Sequence, residues 1–169
     1  MDKPFAKTHP HLVEFGDFLD DFNKETERGA ALAAAAMIDD ILQRVLDAFL
    51  IDNEGKKSLM RGMNAPMGTL AAKTAALYAM GLISESEYAD CGLIRKIRNE
   101  FAHKVRMSFN DDDIKKMCAK LHFSAKDYGK VVIDTRGKFT TAAVGLILNL
   151  TNRPYYVGER KLAARAWPY

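Results

Sequence analysis

SESEYADCGLIRKIRNEFAHK, residues 84–104, decides how the rest of the chain is read. It has the pattern of one amphipathic helix. Ser84 is a good N-cap, and Glu87 completes a capping box. At about 100° per residue, Leu93, Ile94, Ile97, Phe101 and Val105 fall on one side, the side meant for a core. Asn99 and His103 sit together on the opposite side, with Gly92, Lys96 and Tyr88 near them, and Arg98 lies on the flank. The helix therefore has an apolar inner stripe and an outer face carrying an imidazole, an amide and cations.

Working outward, Met67 to Leu82 predicts a helix that Gly81 stops. The short connection to Ser84 makes the two helices an antiparallel hairpin. Before it, Ile51 to Pro66 reads as a basic loop with turn formers Asn53, Gly55, Gly62, Asn64 and Pro66. Lys56, Lys57 and Arg61 are its candidate nucleic-acid contacts, and a plain surface loop is the alternative. Glu25 to Leu50 predicts the longest helix. Its run Ala30–Ala36, broken only by Leu32, lets neighbours approach closely, and Ile38, Leu42, Val45 and Phe49 continue the buried stripe. Asp39 and Asp40 read as a solvated face. Leu12, Phe15, Phe18, Leu19 and Phe22 recur at helical spacing in a first helix, His11 to Asn23, behind a loose arm at residues 1–10.

Beyond the central helix, Asn110 is the predicted cap of a short helix, Asp111–Leu121. His122 to Asp134 is irregular, with Val131–Ile133 either extended or leading into a helix. Lys138 to Leu150 is the last helix, with Ala143, Leu146, Ile147 and Leu150 inward. The tail, residues 151–169, mixes Tyr155, Tyr156 and Trp167 with Arg160, Lys161 and Arg165. That pattern suits stacking on nucleic acid or packing back on the domain. The expectation is an all-α fold, an irregular bundle of five or six helices forming one domain over residues 1–169.

Composition narrows the class. The chain has 169 residues and a net charge of +3, enough for one domain with a real core. The charge is uneven: residues 1–54 carry twelve acidic and five basic groups, whereas residues 130–169 carry two and seven. The basic part suits an anionic partner, or the two signs neutralise each other within the domain. There is no long apolar run for a membrane span and no signal-peptide pattern. Cys91 and Cys118 are the only cysteines and read as buried thiols. Together these predict a cytoplasmic protein with no membrane association. No metal-ligand spacing occurs, and no cofactor is expected. His9, His11 and His122 read as ordinary surface residues.

Arg98-Asn99-Glu100-Phe101-Ala102-His103 resembles the R-(polar)-x-x-x-H signature of the HEPN superfamily. Many members are metal-independent ribonucleases acting as toxins or in defence. On that resemblance Arg98, Asn99 and His103 are the catalytic candidates, with Glu100, Tyr88 and Lys96 in support. Histidine suits proton transfer near neutral pH, and arginine matches phosphate oxygens. Arg98 and His103 lie about 140° apart around the helix. A homodimer that combines an arginine and a histidine from different copies would overcome that separation, and the resemblance implies such a composite site.

A longer stretch, APMGTLAAKTAALYAMGLI followed by YADCGLIRKIRNEFAH, is similar to the mannitol operon repressor family of bacteria. The matching positions are Gly68, Leu70, Lys73, Tyr78, Ala79, Gly81, Leu82, Ile83, Glu87, Tyr88 and Leu93, and the likeness runs from about Phe15 to Asp113. The resemblance implies an all-helical transcriptional regulator acting through protein partners. The turn Gly81–Ser84 is followed by Glu85 and Glu87, which would repel phosphate at the start of a recognition helix and argue against sequence-specific DNA reading. The leading expectation is a metal-independent endoribonuclease that binds RNA and pairs with an antitoxin or regulator. The alternative is a non-catalytic regulator of the mannitol repressor type. A purely structural role for the Arg98–His103 segment also stands.

Overall fold

In the computed structural model, which describes residues 10–168, the ordered elements are α1 (Pro10–Phe22), α2 (Glu27–Phe49), α3 (Glu54–Met60), α4 (Leu70–Ala79), α5 (Glu85–His103), α6 (Asp112–Cys118), α7 (Thr135–Thr151) and α8 (Arg153–Gly158). The only β pairing among the described residues is an isolated bridge between Tyr128 and Val131. The fold is all-helical, an irregular bundle. His9 and most of the expected N-terminal arm lie outside the described residues, as does the side chain of His11.

α2 is the axis of the bundle. Ala30, Ala31, Ala34 and Ala35 are buried, and α4, α5, α7 and α8 pack around the helix. Small side chains permit that crowding, and Ile38, Leu42, Val45 and Leu46 fill the space between the helices at full burial. Burying each such side chain contributes about 1.5–3 kcal/mol. Thr26 caps α2 by accepting the Gly29 N–H.

Two short helices exceed the five or six expected. The predicted loop 51–66 contains α3. Asn53, read as a turn former, is in fact its N-cap and accepts the Lys56 N–H at 2.9 Å. After α7, the chain turns at Asn152 into α8, which has Pro154 in its first turn and packs on α2. Two smaller differences concern caps. The short helix α6 is preceded by Asp111 rather than Asn110, and the Asp111 carboxylate accepts from the Ser108 N–H instead of capping. Asp39 is not simply solvated: Lys73, almost fully buried on α4, donates to its Oδ2 at 2.9 Å.

The α4–α5 hairpin positions the candidate site. Gly81 takes φ 68°, which a Cβ would strain. Its N–H donates to the Tyr78 carbonyl and the Leu82 N–H to that of Leu77, a Schellman stop. Ser84 then opens α5 with both halves of the capping box formed. No helix among the described residues is long and apolar enough to cross a membrane.

Candidate functional site

The inner side of α5 is fixed by core packing and by polar groups. Ile94, Ile97 and Phe101 are completely buried. Phe101 meets Phe109 at 4.9 Å between ring centroids, and Phe109 meets Phe139 at 5.0 Å. Two carboxylates share this side. Glu87 receives Arg153 from α8 at 2.7 Å, while the same guanidinium donates to the Leu82 carbonyl at 2.6 Å. Asp90 has no exposure; it accepts the His122 and Phe123 N–H groups at 2.9 and 3.0 Å and lies 2.8 Å from His122 Nδ1. His122 is therefore not the free surface histidine that the sequence suggests. Burial, with Glu87 and Asp90 adding to it, pushes the Cys91 thiol up to about 12.

α5 ends at His103, two residues before the last position of the apolar stripe. Arg28 of α2 donates to the Lys104 and Val105 carbonyls at 2.5 and 3.0 Å, a cation at the helix C-terminus. Val105, assigned to the core stripe, is 92% exposed as a result.

The outer side differs. Tyr88 stacks on Tyr78 of α4 with ring centroids 4.5 Å apart, and each ring is about two-fifths exposed. A groove of about 330 Å³ runs beside them, lined by Ala71, Thr74, Tyr88, Gly92, Arg95 and Lys96 among others. A Cβ at Gly92 would meet nothing within 4 Å, so the chain's own packing gives no reason for a glycine there. Lys96 and His103 are exposed and Asn99 is half-buried. Among the described residues neither Lys96 nor His103 has an ion-pair partner.

Within one chain Arg98 and His103 lie apart, as their spacing predicts. Arg98 turns toward α2 and α4, into a groove shared with Leu32, Asp39 and Thr69, whereas His103 faces solvent at the end of α5. Glu100 is bound to Lys104 at 2.5 Å rather than to His103. The basic loop residues are also largely committed. Lys56 is held by Asp47 and Asp52 at 3.2 and 2.7 Å, and Lys57 by Glu54 at 2.6 Å, which leaves Arg61 exposed. Tyr78 and Arg95 belong to the outer face but are absent from the candidates that the sequence suggests. The readable signal is the placement of Tyr78 and Tyr88 on either side of the Gly81 turn.

The sequence model of the mannitol repressor family matches residues 19–138, well over half of the chain. The chain belongs to the mannitol repressor family. A chain of the X-ray structure of the MtlR–HPr complex from Escherichia coli has the same fold, with a TM-score of 0.60 at 21% identity over 85% of this chain and 98% of that one. No curated protein matches the sequence. These findings overturn the leading expectation of an endoribonuclease of the toxin or defence type: the family is one of repressors, and neither match points to HEPN ribonucleases. The physical reason for the misreading is the shortness of the hexapeptide. Six residues on one helix are too few to specify a superfamily.

Proposed function

We propose that this chain is a non-catalytic transcriptional regulator of the mannitol repressor type that acts by binding a protein partner, and that the partner is an HPr. Membership of the repressor family over residues 19–138 carries the reading, and the fold shared with a chain of the MtlR–HPr complex supports the choice of partner. The docking face is the outer side of the α4–α5 hairpin, with Tyr78 and Tyr88 as anchor, Arg95 and Lys96 next to it, and Asn99 and His103 farther along α5. An exposed aromatic pair on rigid helices loses little entropy on binding, and tyrosine is enriched at the energetic centres of interfaces. The open space over Gly92 admits a partner's backbone. The homodimer expected from the sequence would use the same face, so a second copy and HPr would compete for it.

Calorimetric titration with HPr tests the reading. Wild type should bind, and Tyr88→Ala and Lys96→Glu should each weaken binding by about tenfold or more without unfolding the chain. Arg61→Glu, away from the hairpin, should bind as wild type does. A folded wild type that takes up no HPr contradicts the proposal.

A further inference from the structure

The C-terminal strip borders a groove that shares no lining residue with the one on the α4–α5 face. After α8 the chain runs without helix, pinned where the Leu162 N–H donates to the Phe49 carbonyl at 2.9 Å and Lys161 binds Asp52 at 2.5 Å. Past these anchors it encloses a groove of about 630 Å³. Ile51, Leu162 and Trp167 give the groove apolar walls, and Arg160, Lys161 and Arg165 give it a cationic rim. No carboxylate lines it among the described residues. Asp52, beside it, is already taken by Lys161 and Lys56, whose hydrogen bonds and charges hold its carboxyl down at about 2. Trp167 is 77% exposed, and Tyr155 and Tyr156 on α8 are exposed as well.

Uncovered aromatic rings cost solubility, and among the described residues Arg160 and Arg165 have no carboxylate partner. The combination fits one ligand chemistry: flat apolar bases to stack on the rings and phosphates to meet the guanidinium groups. Duplex DNA hides its base faces, so exposed stacking platforms favour an unpaired strand. We propose that the Arg160–Trp167 strip binds single-stranded nucleic acid, without sequence preference, through Trp167 stacking and Arg160 and Arg165 phosphate contacts. The site does not depend on the hairpin face.

Trp167 is the only tryptophan in the chain, so its fluorescence reports the site directly. Full-length protein is titrated with oligo(dT) and oligo(U) of ~16 nucleotides, with a DNA duplex of that length, and with polyglutamate as a plain polyanion. Saturable quenching by either single strand is expected, weakening roughly tenfold between about 50 and 200 mM salt for two to three phosphate contacts. The double variant Arg160→Glu/Arg165→Glu should weaken it at least about tenfold, and Trp167→Ala, read by anisotropy of a labelled strand, by a similar factor. Circular dichroism of both variants should match wild type, since the altered side chains are exposed. Absence of quenching by both strands, equal quenching by duplex or polyglutamate, or unchanged binding in the folded variants would overturn the assignment.

Discussion

The two sides of α5 use polar residues in opposite ways. On the inner side Glu87 and Asp90 are buried and their oxygens are taken, by Ser84 and Arg153 for Glu87 and by the 122–123 segment for Asp90. On the outer side Lys96 stands in solvent near a stacked tyrosine pair, and His103 stands in solvent at the far end of the helix. Buried polar groups cost free energy unless paired, so the inner set holds distant segments onto the helix. Exposed polar groups without partners contribute little to folding and leave a surface free for recognition. Polarity along a helix is therefore no guide to function until burial and partners are known.

The contrast predicts effects of graded size. The largest concerns the Cys91 thiol on the inner side. With burial holding its pKa up at about 12, the thiol stays protonated at pH 8 and closed to reagents. Thiol titration of the native protein should leave Cys91 unmodified, and denaturant should release it. Rapid native reaction would mean that the inner side opens. Asp90→Ala should come next. It strands two backbone N–H groups and should cost about 2–4 kcal/mol in urea unfolding, whereas a loss below about 1 kcal/mol would show that the carboxylate is not holding the 122–123 segment. The smallest effect is on the outer side. Gly92→Ala meets no neighbour and removes a mid-helix glycine, so it should stabilise the free chain by about 0.5–1 kcal/mol while weakening HPr binding. A gain in stability with unchanged affinity would move the docking face away from Gly92.

Much of α5 is legible in the sequence because its signals are local. The capping box spans three residues, the buried positions Ile94, Ile97 and Phe101 follow the helical period, and the alanines of α2 announce close packing. What is not legible depends on distant partners. Val105 continues the apolar stripe, but the helix stops before it, and Arg28, far away in the chain, holds the Lys104 and Val105 carbonyls. Asp90 and His122 are 32 positions apart, and no spacing rule links them. Asn53 and Gly55 suggest a loop, yet Asn53 caps α3 and the Lys57–Glu54 pair sits on that helix. For the candidate site, the helical period places Asn99 with His103 and Arg98 on the flank, and what the period does not show is that Arg98 reaches a groove shared with Asp39 and Thr69.

The most direct test is hydroxyl-radical footprinting of the tyrosines with and without HPr. Tyr78 and Tyr88 on the hairpin and Tyr155 and Tyr156 on α8 are all exposed in the free chain. Saturating HPr should protect Tyr78 and Tyr88 and leave Tyr155 and Tyr156 as reactive as before. HPr bound with Tyr78 and Tyr88 still fully reactive would contradict it.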